Sequence, residues 1–453
     1  MAALRTLRAP DGVALGGAAC VSLLVAAVLI KLPLLAVAAV GALLLGATLG
    51  AETLIVICGL GACGLLPFVN VNTDVTAQLK VYAFLFLLAL GAMLVAYASR
   101  GLAGKLSWPL PANLLSLGLV VMLAYVVLVA LGSHPSEVPS LVAPFAILPL
   151  SGLAIVLWLS HDDALKGLRR ALPLAIVIVA AWALAYDAGS AGCGPCRVWV
   201  GTGLIHSGLL GPQSRLYTAG QNTFLGLFLI AFAYTLVRPR PLAVSLVCLG
   251  ALTIALQGSR AQYIAVIVGM VLLLIWKLGQ LRVGGRIVLI VVTALTVLAV
   301  ANSPVGQRAA SAYTETQQGR GTGAYRLELI ESSSQNWTLL GQGFSTNTLE
   351  LGYDIDLGLP NTLLILGYLG AALQLSLIGI GIWRGVAART VAGTTIAAIL
   401  LMVLVSRPSL PLLEYGHSAV MYGAVLGFAA ALRLAPRRTQ APRASPARAS
   451  PVI

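Results

Sequence analysis

The chain has 453 residues, 59% of them hydrophobic and 9% charged, with a net charge of +14 and a mean hydropathy of +0.96. A soluble domain carries about a quarter charged residues, so this chain cannot cover a globule with charge and a large soluble enzyme is excluded. Disorder requires low hydrophobicity and is excluded too, which leaves a polytopic membrane protein.

Apolar runs long enough to cross a bilayer as helices predict spans at 12–31, 32–49, 51–68, 80–98, 111–132, 140–160, 171–187, 219–237, 240–257, 261–278, 286–302, 359–383, 389–405 and 416–432. Only helices and closed barrels satisfy the backbone in lipid, and barrel strands alternate residue by residue. The expected fold is therefore all-α: a polytopic bundle of about 14 transmembrane helices, 12 at the fewest, forming a single transmembrane domain over 1–432. The segment before Cys20 faintly resembles a lipoprotein cleavage site, but Asp11 and the lack of an apolar core favour a first helix that is retained. Residues 433–453 are rich in Pro, Ala and Arg and are expected to form a disordered basic cytoplasmic tail.

Lys/Arg bias sets orientation. With Arg5 and Arg8 in the cytoplasm, that side also receives Arg100, Lys166, Arg238, Lys277, Arg384 and the tail, in all 19 of the 28 basic residues. The opposite side takes ten of the fourteen acids. The positive charge is thus a topology signal with contact to anionic membrane lipids, and needs no nucleic acid to explain it.

Two loops are long, 188–218 and 303–358, and both fall on the extracytoplasmic side. Long loops in compact proteins are functional or disordered. The second contains 324–340, AYRLELIESSSQNWTLL, which reads as a short helix at the membrane surface. In the first, Cys193 and Cys196 have the spacing of a redox pair. No βαβ pattern surrounds them and their side is oxidising, which favours a small disulfide that pins the loop. No His/Cys cluster has zinc spacing.

Three arginines stand near apolar segments: Arg215 where the first long loop re-enters the membrane, Arg260 between two spans, and Arg326 in the second long loop. Snorkelling or an ion pair accounts for any one of them. Cations at such positions also mark polar pathways, and several guanidinium forks suit a diphosphate, which they bind bidentately.

These pieces, in their order along the chain, resemble the O-antigen ligase and polymerase superfamily of bacterial envelope glycosyltransferases. The residues concerned are Arg215 to Asn222, Gly258-Ser259-Arg260, Arg326 followed by Asn336 to Phe344, and Pro360 to Gly370. The resemblance covers about 210–375. It implies a metal-independent glycosyltransferase without a cofactor, acting in lipopolysaccharide or exopolysaccharide synthesis at the bacterial inner membrane. Its donor would be a polyprenyl-diphosphate-linked glycan and its acceptor a hydroxyl of a glycan, lipid or protein. Arg215 and Arg326 would be the catalytic arginines, with Arg260, Asn361 and Asn222 contacting substrate. The family's ligases carry a histidine before the asparagine, where this chain has Pro360. That departure shifts the expectation toward a polymerase or another transferase and leaves the general base open.

A base must lie outside and reach the acceptor. His206, in the same loop as Arg215, is the first candidate, ahead of His417, Glu350, Asp354 and Asp356; an ordinary loop histidine is the simpler account of it. Asp354-Ile355-Asp356 has the form of a metal-nucleotide Asp-x-Asp, but sugar nucleotides are cytoplasmic, so a solvated acidic loop is expected. Trp337, Tyr313, Tyr325 and Tyr353 suit either sugar stacking or an interfacial aromatic belt. The rival reading is a flippase for lipid-linked oligosaccharides, against which stands the lack of a two-half repeat.

Overall fold

The computed structural model describes residues 113–133, 138–159, 260–279, 283–287, 321–344, 358–408 and 416–432, with isolated positions between 241 and 318. The helices are α1 Leu114–Leu131, α2 Val138–Leu159, α3 Arg260–Leu278, α4 Gly321–Ser334, α5 Gly358–Ala387, α6 Val391–Ser406 and α7 Gly416–Ala431. There is no strand among the described residues. α1, α2, α3, α6 and α7 fall on apolar runs that the sequence predicts as spans, and α1 and α5 are long and apolar enough to cross a membrane. The other predicted spans lie outside the described residues or are only partly covered by them.

Lipid gives helices no hydrophobic reason to associate, so close packing of small residues has to do it. The α2–α7 seam is built this way. Gly423 and Gly427, four apart on α7, lie against Leu148, Ser151, Gly152 and Ile155 of α2, so that a Cβ on Gly427 would sit 2.5 Å from the Gly152 carbonyl oxygen. A second seam joins α5 to α6. Gly381 of α5 meets Leu400, and Gly385 meets Gly393 and Ala397, an antiparallel register set by the turn at residues 388–390. Arg389 closes that turn at φ 52 and Thr390 caps α6, accepting from the Gly393 N–H at 3.0 Å. The outward faces stay apolar: Leu117, Val121 and Leu128 on α1 and Ile264, Ile267 and Ile275 on α3 are exposed. Such an apolar surface suits lipid.

At one end of the bundle the terminal carbonyls of α7 have lost their helical partners. Arg384 of α5 donates to the carbonyls of Ala429, Ala430 and Leu432 at 3.0, 3.1 and 2.8 Å. The Asn113 amide reaches Ala430 O at 3.0 Å while its oxygen caps α1. Arg384, which the sequence presents as a topology charge, is a buried helix cap.

Two expectations need correction. The run 359–383 is not one continuous span: α5 is broken at Gly367, with φ 67 and ψ −171, a conformation open essentially to glycine alone. Residues 368–387 still make a helix of about 30 Å, enough to span. The surface helix predicted for 324–340 ends at Ser334. Ser332, Ser333 and Ser334 each donate to a carbonyl three residues back, and this competition ends the helical ladder.

Gly427→Leu should overpack the α2–α7 seam and destabilise the folded protein by about 1–3 kcal/mol. Reversible unfolding of the purified protein in mixed micelles measures this.

Candidate functional site

Breaking a helix at residue 367 deprives the carbonyls of Leu364, Ile365 and Leu366 of their partners and strands the amides just after the break. In an apolar surrounding each such group is costly. The loop after α4 answers the break almost group for group. Gln342 N–H donates to Leu364 O at 2.8 Å and Gly343 N–H to Ile365 O at 3.1 Å. In return Tyr368 N–H donates to Thr338 O and Leu369 N–H to Leu339 O, both at 3.1 Å. The remaining carbonyl, Leu366 O, accepts from the Tyr125 hydroxyl of α1 at 2.8 Å.

Local sequence shapes the loop for this task. Gly341 N–H donates to Thr338 Oγ1 at 2.9 Å, and the Gln342 side-chain amide donates to Asn336 O at 2.9 Å. Gly341 and Gly343 take positive φ values of 82 and 76. Gly341 and Gly367 face each other so closely that a Cβ on either would run into the other segment's backbone. The loop is then anchored by Phe344, whose N–H donates to Ser133 Oγ at 2.9 Å. Its buried ring meets Phe145 of α2 edge-on, centroids 5.5 Å apart.

The break lets α5 fold toward itself. Thr362 and Gln374 would lie about 18 Å apart on a straight helix, yet Thr362 Oγ1 donates to Gln374 Oε1 at 3.3 Å. Between them sits Arg407, 1% exposed, at the C-terminal end of α6. Its Nη2 donates to both Thr362 Oγ1 and Gln374 Oε1, and its carbonyl accepts from Leu359 N–H at 2.9 Å. The cation is placed well electrostatically, since the C-terminus of a helix carries partial negative charge. The Leu359 bond pairs an end carbonyl of α6 with a first-turn amide of α5.

Of the residues singled out by sequence, Asn361 lies on the short helix before the break and Arg326 lies on α4. The two helices pack together where Ile330 and Trp337 enclose Leu364. Arg326 is one turn before Ile330 on α4, and Asn361 one turn before Leu364 on α5. Trp337 Nε1, at this interface, and Asn361 Oδ1 are both buried, and neither has a hydrogen-bond partner among the described residues. Arg260 is the first residue of α3, which packs along α6 with Gly269 against Met402. His417 is the second residue of α7. Arg215, His206, Asn222, Cys193, Cys196, Glu350, Asp354 and Asp356 lie outside the described residues.

Sequence reasoning passed over Arg407, Thr362 and Gln374. The available signal was Ser406-Arg407-Pro408, a cation directly behind an apolar helix and ahead of a proline; arginines so placed face protein interior or cavity rather than lipid. No protein-family profile and no curated protein matches the chain.

Gly341→Ala and Gly367→Ala should each cost at least about 1–3 kcal/mol, from strain at positive φ and from the clash of the new Cβ with the facing backbone, measured by reversible unfolding. Tyr125→Phe leaves Leu366 O without its hydroxyl donor and should cost about 1 kcal/mol, in the range of side-chain hydrogen bonds inside membrane proteins.

Proposed function

We propose that the chain is a multi-pass membrane glycosyltransferase of the O-antigen ligase and polymerase kind. It would transfer glycan from a polyprenyl-diphosphate carrier to an acceptor hydroxyl at the extracytoplasmic face of the bacterial inner membrane. The observation that carries this reading is the union of two segments. Asn336 to Phe344 and Pro360 to Gly370, which bear the resemblance to that superfamily, are joined by four backbone hydrogen bonds, and the helix bearing Arg326 packs on the helix bearing Asn361.

In this reading about 14 helices cross the membrane, both termini are cytoplasmic, and the broken helix lies at the outer end. The grouping of Arg384 with the ends of α1 and α7, away from Arg407 and the 338–344 loop, supports that polarity. Arg215 and Arg326 hold the donor diphosphate, with Arg260 in support. The acceptor oxygen attacks the anomeric carbon, the bond to the diphosphate oxygen breaks, and polyprenyl diphosphate leaves. Negative charge grows on the leaving group, so fixed guanidinium groups favour the transition state over the ground state. The acceptor's proton passes to a base, for which His206 is the first candidate.

A second reading has an observation of its own. Discontinuous helices are how many transporters build their binding sites, so a lipid-linked oligosaccharide flippase also accommodates the break at Gly367.

One experiment separates them. Purified protein in liposomes receives a polyprenyl-diphosphate-linked glycan with chelator present. The transferase reading predicts release of polyprenyl diphosphate with a transferred or lengthened glycan, and a fall in kcat/KM of at least about a hundredfold in Arg215→Ala and Arg326→Ala, as for loss of a group that stabilises developing charge. Donor that crosses the bilayer with no bond broken means a flippase.

A further inference from the structure

We infer that Arg407 is a positioning residue that latches the broken helix shut and so holds Asn361 and the 338–343 loop in place. A guanidinium costs free energy to bury unless its partners are well placed, and those of Arg407 are distributed tellingly. One, Thr362, lies before the break; another, Gln374, lies after it; and the Leu359 amide that bonds its carbonyl begins the short helix. A single residue at the C-terminal cap of α6 therefore ties both halves of α5 together. Thr362 is fully buried, as are Gln374 and Arg407 itself, so the latch is shielded from water and from direct contact with a ligand.

The four backbone bonds between loop and helix do not secure this fold by themselves. They act within three residues of Gly367, so they have little leverage over an angle that glycine's broad φ/ψ range would otherwise let vary. The latch acts outside that stretch, from Thr362 before it to Gln374 after it, where it fixes that angle. Asn361 is adjacent to Thr362 and one turn from Leu364, so its position follows from the angle. The other buried arginine among the described residues, Arg384, sits near the far end of the second half of α5 and donates to the end of α7, so it does not bridge the break.

The inference rests on the transferase reading only for its consequence in turnover; the latch has a readout of its own. The experiment compares the full-length wild type with Arg407→Met, Arg407→Lys and Arg384→Met in nanodiscs. Amide hydrogen exchange is followed by mass spectrometry on peptides covering 338–344 and 364–371, alongside transfer kinetics. Arg407→Met is expected to speed exchange in these two peptides at least about tenfold, the effect of one lost charge-assisted hydrogen bond, with little change in the α2–α7 seam. Arg407→Lys is expected to restore part of the protection, because a compact ammonium reaches one of the two oxygens. The kcat for transfer is expected to fall in the same order while KM for donor stays within about twofold, as when only transition-state placement is lost. Arg384→Met is expected to loosen the chain without singling out these peptides.

Uniform acceleration of exchange across the protein in Arg407→Met would overturn the inference, since the arginine would then be an ordinary stability determinant. Selective exchange with kcat unchanged would also overturn it, because the latch would not position the site. If the wild type transfers no glycan, the transferase reading falls, and the exchange pattern still decides for or against the latch.

Discussion

Backbone groups released inside an apolar bundle must find partners, and this requirement governs the described part of the molecule. Gly367 interrupts α5 where the surroundings are buried and apolar, with Leu364, Ile365 and Leu366 each at most 2% exposed. The carbonyls freed on that buried side are best satisfied from within the protein, so another segment has to supply the complement. The segment 338–343 does so, with a donor for two carbonyls and an acceptor for two amides, and the Tyr125 hydroxyl takes the third carbonyl. The break and the loop are consequently one structural unit.

The remaining architecture serves as a frame around that unit. Small residues bring α2 to α7 and α5 to α6 at backbone contact, which gives rigidity that lipid cannot provide. Phe344 and Ser133 tie the loop to the ends of α1 and α2. Two buried arginines secure opposite ends of the bundle, Arg384 by capping α7 and Arg407 by bridging the two halves of α5. A binding or catalytic group placed on the short helix before the break inherits its position from all of these.

Helix existence was legible in the sequence because it depends on apolar run length, and α1, α2, α3, α6 and α7 lie where such runs predict them. The break at Gly367 was not legible by that route. Leu363-Leu364-Ile365-Leu366-Gly367-Tyr368-Leu369 reads as unbroken apolar helix, since hydropathy is blind to φ and one glycine in a membrane helix is ordinary. The signal that was legible lay in motif resemblance, which picked out 336–344 and 360–370 as separate pieces without showing that they meet. Arg407 was missed for a related reason: in the sequence it carries no hint of partners that only the folded-back helix brings together. The end of α4 was placed too late because apolar periodicity continues through Trp337 and Leu340, while three consecutive serines turn their hydroxyls onto the backbone.

The most direct measurement is cross-linking of the loop to the break. In a background with the six native cysteines replaced, Leu339→Cys is paired with Leu369→Cys. Both positions are exposed, and their backbones share a 3.1 Å hydrogen bond. The control pairs Leu339→Cys with Trp383→Cys, about 21 Å further along the helix. Rapid disulfide formation by the first pair and none by the second is the predicted result, because a disulfide requires Cα atoms within roughly 7 Å. If the first pair oxidises no faster than the control, the loop does not close the break and the account is wrong.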